Sequence, residues 1–178
     1  KPRVAHKTER KRGDPPPFSG ILQLESYDLK MLDKMLSKHK KFSSRKKLDL
    51  LCYFGTMFNE MLYFEVAKGG GLTGMLGYGN PNLVLNARSQ FLDASLMPAV
   101  IEIMSQLEIF VGPSDSFRKE DSDALISLGF SQTNGLGIFT ISAKKQPVGV
   151  FICTTPGAVS IDAKEIKKLK SILSSITL

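Results

Sequence analysis

The stretch Tyr63 to Gly79, YFEVAKGGGLTGMLGYG, decides how the chain folds. Phe64 and Val66 alternate with Glu65 and Ala67, the period of a strand. Leu72, Met75, Leu76 and Tyr78 follow on a second apolar run. Between them Gly69, Gly70 and Gly71 supply backbone angles that only glycine reaches without strain. The segment therefore predicts a β-hairpin closed by a tight glycine turn.

The same glycines offer a rival reading. Gly69, Gly71 and Gly74 satisfy G-x-G-x-x-G, and Asp93 lies nineteen residues beyond Gly74. A dinucleotide site needs a helix opening at those glycines, with its amide ends facing the pyrophosphate. Met75-Leu76-Gly77-Tyr78-Gly79-Asn80-Pro81 follows instead, and that run does not open a helix at the glycines. No Gly-Lys-Ser/Thr follows, so a P-loop is absent as well.

Working outward, the 178 residues suit one domain of ordinary size plus an extension. A hydrophobic content of 42% is enough for a real core. No apolar run reaches membrane-spanning length, and no signal peptide is visible. The chain starts at Lys1 and reads as a fragment or processed form. Cys52 and Cys153 stand alone in the sequence, as small buried hydrophobes of a reducing, cytoplasmic compartment do. With only His6 and His39 beside them, no zinc site is expected, and no other metal site either. The net charge of +7 is uneven: residues 1–47 hold fourteen Lys or Arg against five Asp or Glu, and the rest hold ten against twelve. The excess therefore sits on an N-terminal arm and not on the globular part.

Along the chain, residues 1–17 are basic and then Pro-rich, a flexible arm or linker. Residues 18–45 read as a helical extension, with Ser26 or Asp28 capping a helix to about Lys40. The main domain is expected over residues 46–178. Its first helix is predicted over Leu48–Leu62, with apolar residues on more than one face. After the glycine hairpin, Asn80-Pro81-Asn82 reads as a turn and Leu83-Val84-Leu85 as a short strand. Ser95 is placed as the cap of a helix through Leu107, and Ile109-Phe110-Val111 as a brief strand. An acidic loop from Ser114 to Asp123 leads to a helical turn at Ala124–Leu128. Gly137–Ala143 and Pro147–Thr154 form a second hairpin. Asp162 with Glu165 marks the start of a terminal helix carrying Ile166, Leu169, Ile172, Leu173 and Ile176. Adjacent strands joined by tight turns argue for an α+β fold, an antiparallel sheet flanked by helices.

From about Lys46 onward this order resembles a GAF domain, and more narrowly the divergent GAF-like modules of bacterial signalling proteins. The segments that carry the likeness are YFEVAKGGGLTGMLGYG, FLDASLMPAVIEIMSQLEIFVGP, LGIFTISAKKQPVGVFICT and the terminal helix. Pro147-Val148-Gly149-Val150 fits the family's Pro-Val/Ile-Gly-Val strand. A PAS-type or profilin-like sensor fold is the nearest competitor. The resemblance implies a regulatory module without catalysis, acting through protein–protein contacts in a signalling or motility pathway. It also implies a pocket able to take a cyclic nucleotide or similar small molecule, so a ligand sensor is the alternative. One branch of the family reduces free methionine sulfoxide with a loop cysteine. Cys52, on a helix, and Cys153, on a strand, depart from it.

In such a domain the loops Ala87–Pro98 and Gly112–Asn134 would face the pocket. They offer Arg88, Asp93, Ser95, Asp115, Ser116, Arg118 and Asn134 as polar groups. Arg88 or Arg118 could receive a phosphate or carboxylate. The competing reading makes both solvated loop charges. The acidic set Asp115, Glu120, Asp121 and Asp123 lacks the spacing of a calcium loop and reads as helix capping. No cofactor is expected, though the pocket leaves room for one unidentified small ligand. The resemblance places the opening and closing helices on one side of the sheet. There Leu48, Leu51, Phe58, Ile166, Leu169 and Leu173 could pair with a second copy or a protein partner. The basic arm is a second alternative, as a nucleic-acid contact. Its first seventeen residues hold no aromatic side chain to stack on bases, which argues against nucleic acid.

Overall fold

The computed structural model describes residues 28–38, 41–131 and 133–176, the side chain of Ala94 excepted. The N-terminal arm, and Ser26 as an alternative cap, lie outside the described residues. Asp28 caps α1 (Leu29–Ser37) by accepting the Met31 N–H. The order continues with α2 (Ser44–Phe54), β1 (Glu60–Val66), β2 (Leu72–Tyr78), α3 (Pro81–Asn86) and β3 (Phe91–Leu92). Then come α4 (Pro98–Ser105), β4 (Ile109–Pro113), α5 (Lys119–Ser127), β5 (Gly135–Ala143), β6 (Gln146–Thr155) and α6 (Ala163–Ser174). The strands form one antiparallel sheet in the order β3-β2-β1-β6-β5-β4. The fold is α+β, with helices on both faces of the sheet.

Strand alternation assigns the two faces. Met61, Tyr63, Phe139, Ile141, Phe151 and Cys153 point to the face covered by α1, α2 and α6. Leu62, Phe64, Ile138, Val150 and Ile152 point to the face covered by α3, α4 and α5. On the first face Phe54 stacks on Phe139 with ring centroids 4.1 Å apart, and Phe151 lies 5.1 Å from Phe54. Leu32 and Leu36 of α1 are buried in that same core.

Four elements differ from the sequence reading. The acidic loop expected over Ser114–Asp123 is helical from Lys119 onward, as part of α5. The helix expected over Leu48–Leu62 ends at Phe54, and residues from Glu60 onward are β1. β1 is a central strand buried on both faces, so its apolar residues do not alternate and imitate an all-round buried helix. Phe58 therefore lies in the connection, not on a helix, and packs edge-on against Phe139 at 5.8 Å. Leu83-Val84-Leu85 is helical, not a strand. Asn80 is the N-cap, accepting the Leu83 N–H at 3.1 Å, and Pro81 follows in the first turn. Ser95 does not cap α4. It sits in a 3-10 turn over Ala94–Leu96, and α4 starts at Pro98 after Met97.

Two glycines make the sheet compatible with its cover. A Cβ at Gly77 would stand 2.1 Å from the Leu83 carbonyl oxygen, so bare backbone lets α3 lie directly on β2. Gly71, at φ +74°, ends the glycine turn under the ring of Phe91, 2.5 Å from where its Cβ would be.

Candidate functional site

The space between the sheet and α3–α5 is where the sequence reading put a pocket. Leu62, Phe64, Leu83, Met97, Val100, Leu136, Ile138, Val150 and Ile152 meet there, all at 0% exposure. None of these nine side chains has accessible surface, so they fill this part of the interior by packing against one another.

The rim of that interior is tied by a carboxylate that the sequence reading missed. Glu60, at the start of β1, is 4% exposed. It accepts from Asn80 Nδ2 at 2.7 Å, from the Ser131 N–H at 2.8 Å and from the Ser131 hydroxyl. The Thr154 hydroxyl approaches it at 3.4 Å. Asn80 also donates to the Gly129 carbonyl at 3.1 Å. One buried anion thus joins β1, the entry to α3, the exit from α5 and β6. Charged acceptors form the stronger hydrogen bonds, which offsets part of the desolvation cost. Nothing local marks Glu60, because its partners are more than nineteen residues distant.

Asp121, 1% exposed, plays a similar part between helices. Its carboxylate accepts the Arg118 N–H at 3.3 Å and the Ala99 N–H at 3.2 Å. The N-termini of α4 and α5 therefore share one negative charge, as helix dipoles favour.

Outside this closed interior lies a groove of about 430 Å³ between α5 and the segment from Gln90 to Leu96. Leu92, Ala124 and Leu128 form its apolar walls, and Glu120 and Asp123 its acidic rim. Phe91 and Leu96 border it at 58% and 57% exposure. A second hollow of about 290 Å³ lies between α4 and the segment from Ser116 to Arg118.

The predicted polar residues are distributed over these features. Ser95 lines the groove, and Asp93 accepts both its N–H at 2.9 Å and its hydroxyl at 2.8 Å. Those two bonds, the backbone one foremost, hold the Asp93 carboxyl below its ordinary value. Ser116 and Arg118 line the second hollow. Arg88 and Asp115 are exposed and line neither. Asn134 donates to the Pro156 carbonyl at 2.9 Å. Of the apolar set, Leu51, Phe58, Leu169 and Leu173 are buried in the core on the other face, with Leu48 and Ile166 half-buried.

Both thiols are also on that other face. Cys52 is 8% and Cys153 0% exposed, and burial pushes the Cys153 thiol well above its ordinary value. Among the described residues no group of three or more His, Cys, Asp or Glu could hold a metal ion. No helix among them is long and apolar enough to cross a membrane.

No family model matches the chain. No curated protein matches it. Solved structures do. The GAF domain of a phosphoenolpyruvate-protein phosphotransferase from Coxiella burnetii superposes with a TM-score of 0.63 at 11% identity, over 82% of this chain and 85% of that one. Residues 122 to 287 of a methyl-accepting chemotaxis protein give 0.57 at 15% identity, over 81% and 93%. A type II free methionine-R-sulfoxide reductase from Thermoplasma acidophilum gives 0.53 at 11% identity, over 80% and 90%. These neighbours include signalling modules and an enzyme, all on one architecture. The chain has a GAF-like fold.

Proposed function

We propose that the chain is a non-catalytic regulatory domain that works through contact with another protein, in a cytoplasmic bacterial signalling pathway. The observation that carries this reading is the filled interior. Where a sensor of this fold would keep space for a ligand, nine apolar side chains have no accessible surface. The placement of both cysteines supports the absence of reductase chemistry, since each is buried on the opposite face of the sheet from the groove. A thiolate nucleophile needs access and a lowered pKa, and Cys153 has neither.

A small-molecule sensor is the second reading, favoured by the groove beside Ser95 and by Arg118 in the second hollow. Native mass spectrometry against the denatured mass, paired with an assay of free methionine sulfoxide reduction, separates these. A ligand-free native mass and no turnover support the interaction module. A retained small molecule moves the function to the sensor, and turnover makes the chain an enzyme.

A further inference from the structure

We propose that the groove between β3 and α5 is a docking site for an extended peptide of a partner protein, one that alternates apolar and basic residues. The inference rests on the interaction-module reading and names its surface. β3 is the edge of the sheet. Gln90 accepts from Gly74 N–H at 2.9 Å, and Leu92 stands opposite Leu72. In an antiparallel ladder the residue between them turns its peptide groups the other way, so the N–H and C=O of Phe91 face the open side. An added strand would pair there, as peptides do at other sheet edges.

The side-chain chemistry selects the peptide. Leu92, Leu96, Ala124 and Leu128 line the groove on the α5 face. Phe91 pairs with Thr73 and turns its ring over Gly71 on the opposite face. An added strand would therefore set its apolar side chains on Phe91 and the alternate ones toward the groove. Phe91 and Leu96 are more than half exposed, a cost that burial under a partner would remove. Glu120 and Asp123 stand on the α5 side, and Asp93 adjoins β3. Glu120 has a local reason to be there, in the first turn of α5. Asp123 has none: among the described residues its exposed carboxylate takes part in no ion pair. A lysine or arginine beside an apolar anchor would complement it. The volume of about 430 Å³ lies within the range of formed ligand sites, roughly 300–1,000 Å³.

The test uses the isotope-labelled full chain and two probe peptides, one alternating Lys with Val and Leu, the other alternating Glu with the same residues. Amide shifts are followed by NMR during titration. The expected result is saturable shifts centred on Phe91, Leu92, Ser95, Asp123 and Ser127 with the lysine peptide alone. Asp123→Lys should weaken that binding on the order of tenfold. Leu96→Lys should abolish it, and both residues are exposed, so circular dichroism should show the fold intact. Equal shifts with the glutamate peptide would overturn the proposal, as would no shift with either. Shifts confined to α1, α2 and α6 would overturn the groove and leave the interaction module standing. Groove shifts that grow with protein concentration before any peptide is added would assign the site to a second copy of this chain, against the proposal. A small molecule retained in the native mass of the same sample, with no peptide response, would sink both readings together.

Discussion

Removing the carboxylate of Glu60 should cost more stability than any single loop contact. In Glu60→Ala, Asn80 Nδ2, the Ser131 N–H and the Ser131 hydroxyl lose an ionised acceptor. Thr154, 0% exposed, loses a weaker one at 3.4 Å. Hydrogen bonds to charged groups contribute about 1.5–3 kcal/mol each, before any return of solvent. Ser131 lies at an exposed position, so water can replace part of its loss. The net expectation is about 3–5 kcal/mol, near that for breaking a buried ion pair and a large share of a domain's stability. Glu60→Gln keeps one acceptor oxygen but turns an NH₂ toward donors, for a loss of about 2–3 kcal/mol. Asn80→Ala loses its bond to Glu60 and the cap on α3, again about 2–3 kcal/mol. The two residues are in contact, so a double-mutant cycle should return coupling of about 1–2 kcal/mol. Urea unfolding followed by far-UV circular dichroism measures all of these, since the chain has no Trp to report. A Glu60→Ala midpoint within about 1 kcal/mol of wild type at unchanged slope, or a cycle that closes to zero, would refute the reasoning.

Other consequences follow from the same geometry. Gly77→Ala should destabilise by about 3 kcal/mol or more, because its Cβ would meet the Leu83 backbone and push α3 off the sheet; a thermal melt reads this directly. Leu51→Ala and Leu173→Ala should each cost about 2–5 kcal/mol. Both side chains are buried within the chain, so the unfolding midpoint should not depend on protein concentration; a concentration-dependent midpoint would place them at a dimer interface. Burial foremost, then Glu165 for Tyr53 and Glu65 for Tyr63, raises both phenols above the ordinary value of 10.0. A raised folded pKa means the contribution is whole below pH 10 and is lost as pH climbs beyond it. Stability should thus fall above pH 10 by up to about 1.4 kcal/mol per pH unit for each tyrosine, and Tyr53→Phe should flatten the fall. In the native state Cys153 should resist a thiol reagent until the chain is unfolded with urea, and immediate labelling would contradict its burial.

The sequence by itself determined the elements whose signals are local. Three glycines between two apolar runs made the β1–β2 hairpin, and the β5–β6 hairpin was legible from two apolar runs around Lys144-Lys145. Here both lysines take positive φ, the conformation a two-residue hairpin turn demands. Asp28 and Asp162 were legible as caps because a cap bonds to the backbone three residues on. Those pieces were enough for an antiparallel α+β sheet. Only the tertiary structure decided what apolar runs with no period would become. Met61 to Phe64 turned into a two-faced central strand because neighbours lie on both of its sides. Leu83 and its flanks are helix behind a local cap, Asn80 on the Leu83 N–H, in a run that reads as a turn by sequence. Only the bond from Asn80 to distant Glu60 is tertiary. The groove was beyond the sequence for the same reason. Phe91 and Asp123 lie more than thirty residues apart and come together only because β3 closes one edge of the sheet while α5 packs beside it. Burial and convergence are properties of distant residues meeting, and no local pattern encodes them.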